Sequence, residues 1–269
     1  MTTLISWIGV DSRQASSIYL ASDSRITWDK ATPWDVGKKL YASKSMPEAF
    51  GYCGDVTFPT TVLAQLCEKI DAGACFSGAE AFEIKLELVR AHVERSYRAY
   101  PKQHRNFFQI VYVSRTGHGM AASFFAAEIS PSNDGEIKSR ILPLPSQSGL
   151  IEGVGSGRES VNKWYRHWQN SDVNGTSRSV FGAFCDSLTS GDDPSSGGAP
   201  QLVGLYRIGN PVAYGIIWEN QRHFAGDTLS THVDLTGIPW RNCRLEECDP
   251  FSMSLKEGAQ MQPRPAFKY

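Results

Sequence analysis

A surplus of one charge sign is what this 269-residue sequence most plainly lacks: its formal net charge is −1. That leaves no electrostatic case for nucleic acid or for an anionic membrane surface. Long apolar runs are lacking too, and none is long enough to span a bilayer. The opening Met1-Thr-Thr-Leu-Ile-Ser-Trp has no basic start of the secretory kind, and its apolar run breaks at Asp11. The expectation is a cytoplasmic protein. Cysteine is sparse: six are spread along the chain, none forms Cys-x-x-Cys, and no second pair joins Cys243 and Cys248 to complete a zinc site. They read as reduced thiols. There is no Gly-Lys-Ser/Thr phosphate loop and no His-Glu-x-x-His. Gly153-Val-Gly155-Ser-Gly157 puts Arg158 where a dinucleotide fingerprint needs its third glycine. Val154 and Arg158 likewise deny Ser156 the flanking glycines of a nucleophile elbow.

What is there is ordinary globular composition, 41% apolar and 20% charged, in a chain long enough for a large core. Thr3 to Val10 and Ser17 to Ser22 read as a β-hairpin, and Lys39 to Ala42 and Ala49 to Cys53 as two further strands. Helical spacing then takes over: Val62, Leu63, Leu66 and Ile70, then Phe82, Leu86, Val89, Val93 and Tyr97. Strands are expected at Phe107 to Val113, Met120 to Ile129, Ile137 to Leu142 and Leu150 to Val154. Helices are expected at Glu159 to Trp168 and Ser177 to Leu188, and a last strand pair at Leu202 to Tyr206 and Val212 to Trp218. Beyond Glu219 the pattern weakens, and the final residues read as a tail. Runs of strands alternating with pairs of helices imply an α+β protein with sheets inside and helices outside.

The chemistry is concentrated at the start. Thr2 directly follows the initiator methionine, and a small second residue permits its removal. The freed α-amine, with an ordinary pKa of about 7.7–8.0, can take the proton of its own threonine hydroxyl. Further on come Asp23-Ser24-Arg25, then Lys38-Lys39, then Gly51-Tyr-Cys-Gly54-Asp55, then Gly155-Ser156-Gly157, then Asp193-Pro-Ser-Ser196-Gly197-Gly198. Each alone reads as a turn, a solvated charge pair or a loop.

In this order and spacing they resemble the proteasome β-subunit family, including the bacterial HslV-type peptidases, over Thr2 to Trp218. Three departures stand out. The first hairpin is longer through Asp11 to Ala15, Asp55 replaces the second glycine of Gly-Gly, and the segment after Glu219 has no counterpart. The resemblance implies a four-layer αββα sandwich of the N-terminal nucleophile (Ntn) hydrolase type over 2–218, with 219–269 as a C-terminal extension. It implies a threonine peptidase acting through a Thr2 acyl-enzyme after Met1 removal, without metal or organic cofactor. Lys39 matches the lysine that steadies the threonine alkoxide, and Asp23 its partner. Gly54 matches the oxyanion donor, and Ser156, Asp193 and Ser196 the group that orients the amine and its water. Ile26, Gly37, Tyr52 and Val56 match an uncharged substrate pocket. Peptide or unfolded protein is the implied substrate, a homo-oligomeric ring the implied assembly, and an ATP-dependent unfoldase a partner. Two alternatives stand beside this: a catalytically silent ring subunit, and an Ntn amidase for a small-molecule amide.

Overall fold

The computed structural model describes residues 2–28, 32–230 and 234–267. Strands β1 (Thr3–Val10) and β2 (Ala15–Ser22) form the opening hairpin; the short β3 (Ile26–Thr27) and β4 (Pro33–Trp34) follow, then β5 (Leu40–Ala42) and β6 (Glu48–Gly54). Helices α1 (Thr57–Asp71) and α2 (Phe82–Ala99) come next, then β7 (Phe108–Thr116), β8 (Ser123–Pro131), β9 (Ile137–Leu142) and β10 (Gly149–Gly155). Helices α3 (Arg158–Gln169) and α4 (Ser177–Ser190) precede β11 (Gln201–Tyr206) and β12 (Val212–Trp218). The chain continues into β13 (Gln221–Phe224), β14 (Asp227–Thr228) and β15 (Trp240–Arg241).

Two sheets dominate. The first runs β10-β1-β2-β11-β12-β13-β14, antiparallel throughout, with β15 added in parallel beside β12. The second is the antiparallel meander β5-β6-β7-β8-β9. Alternation along each strand sorts its side chains to two faces, and here both faces are buried. From β1 and β2, Leu4, Ile8, Ile18 and Leu20 join Ala49, Cys53, Val111 and Val113 of the second sheet in one core. The opposite faces, Ile5, Trp7 and Ala21, pack on Phe181, Phe184 and Cys185 of α4. On the far side of the second sheet, Phe50, Tyr52, Ile110 and Tyr112 meet Leu66 and Ile70 of α1 and Val89 and Val93 of α2. This double burial explains why these strands read as near-continuous apolar runs rather than clean polar-apolar alternations.

Helix α1 begins at Thr57, and the Asp55 carboxylate just before it accepts the Phe58 N–H at 2.9 Å, satisfying one of the donors that a helix start leaves open. Strand β5 begins one residue after the expected Lys39, because the Lys39 N–H is taken by the Gln201 side chain. The stretch beyond Glu219 adds β13, β14 and β15 to the first sheet and forms a small core of Ile217, Leu235, Trp240 and Cys248. The run read as a tail lies against the helices: Arg178 of α4 donates to the Pro263 carbonyl and Phe267 stacks on His167 at 4.2 Å.

Candidate active site

The first residues of β1 lie between β10 and β2, with Thr3 opposite Gly155 and Leu4 opposite Ser22. This register brings the end of β2 to the start of the chain. Asp23 is fully buried and all four of its acceptor directions are used. One carboxylate oxygen accepts the Thr3 N–H at 3.0 Å and Lys39 Nζ at 2.8 Å. The other accepts the N–H groups of Arg25 at 3.1 Å and Gly197 at 3.0 Å. Lys39 is equally buried and gives a second proton to the Arg25 carbonyl. An ammonium has three donors, so one remains for a group at the site. Burial draws the Lys39 pKa below its ordinary value, while the Asp23 carboxylate pulls the other way. Lys38, by contrast, is exposed, its ammonium 4.6 Å above the Tyr41 ring on the helix side of the sheet.

A second polar cluster joins the ends of β10 and of the loop after α4. Ser156 and Ser196 both donate to one carboxylate oxygen of Asp193, each at 2.7 Å. Ser196 Oγ also meets Thr3 Oγ1 at 2.5 Å. Thr3, the residue after Thr2, thereby joins both clusters. The Thr2 carbonyl fits against Gly155, where φ is +90° and a Cβ would lie 1.8 Å from the Thr2 oxygen. Only glycine can stand there. Gly54, also at φ +90°, ends β6 with its Cα against the Phe107 carbonyl. Met1, whose removal the sequence reading requires, lies outside the described residues.

The four residues expected to line a pocket do not sit alike. Ile26 and Gly37 are adjacent: a Cβ on Gly37 would come within 2.4 Å of Ile26 Cδ1. Val56 is the residue before α1. Tyr52 is fully enclosed in the core under α1, its hydroxyl donating to the Lys38 carbonyl at 3.3 Å and accepting from Thr60 at 3.0 Å. On the β10 side of Thr2 lies a cleft of about 350 Å³ lined by Cys53, Gly54, Phe107, Gln109, Ser156 and Arg158 among others.

Three contributors escaped the sequence reading. Thr3 ties the two polar clusters together through its N–H and its hydroxyl. The Arg25 guanidinium grips Asp35 at 2.7 and 2.8 Å and donates to the Pro194 carbonyl, closing the outer side of the loop. Gln201, at the start of β11, bonds to the chain around both Asp23 and Lys39. For Thr3 and Arg25 a signal existed, since each adjoins a singled-out residue; a lone glutamine over 160 positions away gave none.

No protein-family profile and no curated protein matches the chain. Solved structures do. The Anbu complex from Pseudomonas aeruginosa, described as a helical assembly, is 13% identical and matches 83% of this chain and 88% of its own, with a TM-score of 0.56. Anbu, an ancestral beta-subunit, from Yersinia bercovieri is 10% identical over 76% of this chain and 82% of its own, with a TM-score of 0.51. Eukaryotic HslV from Trypanosoma brucei is 13% identical over 76% of this chain and 99% of its own, with a TM-score of 0.47. The fold is thus the one that the Anbu structures have. Among the described residues no helix is long and apolar enough to cross a membrane.

Proposed function

We propose that this protein is an N-terminal threonine hydrolase of the proteasome-like type, cleaving peptide or amide bonds. The three buried clusters are the interfaces of a four-layer αββα sandwich, α1 and α2 on one outside and α3 and α4 on the other. The observation that carries the reading is the shared carboxylate oxygen of Asp23. It holds the backbone of Thr3 and the ammonium of Lys39 at once, so Thr2 is bonded directly to a group that touches the ion pair.

In this reading the Thr2 amine removes the proton from Thr2 Oγ, which attacks the scissile carbonyl; the protonated amine then gives that proton to the leaving nitrogen as the C–N bond breaks, and an acyl-enzyme remains. The Lys39 ammonium lowers the cost of the alkoxide, and the Gly54 N–H receives the oxyanion. Losing such a donor typically costs about 10²–10³ in rate. The Ser156, Asp193 and Ser196 cluster orients the amine and the water that later releases the acyl group. Activity rises with pH as the amine loses its proton. It falls again as Lys39 loses its own, at a pH below that of an ordinary lysine because burial weakens its hold on the proton. Ile26 and Gly37 favour a small or apolar substrate side chain. The working form is a cytoplasmic homo-oligomer, fed unfolded chains by an ATP-dependent unfoldase.

The test is hydrolysis of fluorogenic peptides by purified protein whose intact mass shows Met1 removed, beside a Thr2→Ala variant. Thr2→Ala is expected to fold and assemble normally and to lose hydrolysis. Wild-type activity in that variant would overturn the assignment. A folded wild type lacking Met1 that cleaves no peptide but does cleave small amides would favour the amidase alternative; one that cleaves neither, the silent subunit.

A further inference from the structure

The segment after Trp218 carries none of the residues assigned above, yet its first turn stands against the back of the site. Strands β13 and β14 are joined through Ala225, at φ +52°, and Gly226, at φ +93°. A Cβ on Gly226 would lie 2.9 Å from the Gly37 carbonyl oxygen, 3.0 Å from Ser24 Oγ and 3.2 Å from Gln201 Nε2. The turn therefore packs directly on the carboxamide that braces Lys39.

That carboxamide is fully engaged. Its nitrogen donates to the carbonyls of Gly37 at 2.8 Å and Asp23 at 3.1 Å, and stands 3.0 Å from Ser24 Oγ. Its oxygen accepts the Lys39 N–H at 3.0 Å. Turning the amide over would set N–H against N–H and oxygen against carbonyl, so its orientation is fixed. The hairpin is itself held: Arg222 of β13 donates to the carbonyls of Pro250 and Phe251, further along the same segment.

We propose that the turn at Ala225 and Gly226 and the Gln201 carboxamide form one positioning unit, which holds Lys39 against Asp23. The C-terminal segment is then the back wall of the site rather than an appendage. The unit deepens the hydrolase reading and rests on it for the role of Lys39, but the positioning is testable without catalysis. Besides Asp23, the titratable groups that act on Lys39 are Cys53 and Asp35; Asp227, on the turn, is exposed.

The experiment compares Gly226→Ala with Gly258→Ala. Gly258 also has a positive φ, +76°, but a Cβ there meets nothing within 4 Å, so it carries the same backbone strain without the contact. Two quantities are read in each protein: kcat and KM against pH, and the titration of the Lys39 side chain by NMR, assigned with Lys39→Met. Gly226→Ala is expected to lose at least tenfold in kcat with KM within about twofold. Lys39 should titrate at higher pH as water reaches it, and the alkaline limb of the rate should follow. Gly258→Ala should match wild type in both. Gln201→Glu, which removes the donor and adds negative charge, should move the titration the same way and serves if Gly226→Ala does not fold. Wild-type kcat and an unmoved Lys39 titration in folded Gly226→Ala, or an unmoved titration in Gln201→Glu, would overturn the proposal. Should the wild type cleave no substrate, the hydrolase reading falls, and the Lys39 titration alone decides the positioning.

Discussion

At the scale of single residues, the site depends on two charges kept out of water. Removing one partner of a buried ion pair leaves the other uncompensated and costs about 3–5 kcal/mol. Asp23 keeps three backbone donors when Lys39 is gone, so the lower end of that range is expected for Lys39→Met. Hydrolysis should fall by orders of magnitude, and denaturant unfolding should show the loss of stability. Lys38→Met should be near neutral in both, because its ammonium lies over Tyr41 and away from Asp23. A silent Lys39→Met with an inactive Lys38→Met would reverse the two roles. Short glycine-rich or charged motifs single out Asp23, Lys39, Ser156, Asp193 and Ser196 in the sequence. Their meeting in two touching clusters could not be read there, since the contacts join positions up to 193 residues apart. Tyr52 shows the opposite failure. A position in a motif says nothing of which face of β6 it occupies, and this one faces α1.

At the scale of elements, the strand ends do the positioning. The end of β10 turns at Gly155, and an added methyl there collides with the Thr2 carbonyl in a backbone conformation that L residues avoid. Gly155→Ala should cost about 1–3 kcal/mol of stability. It should also abolish activity, because the displaced atoms belong to the proposed nucleophile. Measured by thermal unfolding and peptide hydrolysis, a folded and fully active Gly155→Ala would show that the start of the chain sits elsewhere. Helix α2 makes a different prediction. His92 is buried on its inner face, with Arg95 3.1 Å from Nδ1. Burial, then the charges of Lys69 and Arg95, push its pKa down to about 4. The unfolded chain, with a histidine near 6.5, binds the proton more readily. The stability His92 allows is therefore fully present above about pH 6.5 and is lost as pH falls toward 4, on the order of 2 kcal/mol. Urea unfolding at pH 7 and pH 4.5 should show a smaller loss in His92→Met than in wild type. The helical stripe that the spacing reveals passes beside His92 without marking it, since periodicity registers apolar residues and not a buried imidazole.

At the scale of the whole molecule, the order of the main elements was legible, the long strands as apolar runs and the helices by their spacing. The course of the chain beyond Glu219 was not. Its strands are two to four residues long, and their stability comes from pairing, β13 and β15 with β12 and β14 with β13, rather than from a local pattern. The two ends of the chain consequently make unequal demands. At the start, the hydroxyl and the base of the proposed reaction belong to one residue. Acylating its nitrogen turns a base into an amide that cannot accept a proton near neutral pH. An uncleavable amino-terminal extension should therefore give a folded, assembled and inactive protein. At the other end, Phe267 rests on α3 far along the chain from any proposed catalytic group, and a tag after Tyr269 should leave activity within about twofold. Both tagged proteins are compared by intact mass, size-exclusion chromatography and peptide hydrolysis. Equal elution with activity only in the carboxy-tagged form is the expected result. An amino-extended protein shown by mass to be uncleaved, and as active as wild type, would exclude a terminal threonine as nucleophile. The fold would then stand alone, and the nucleophile would have to be sought among side chains that face the cleft, beginning with Ser156.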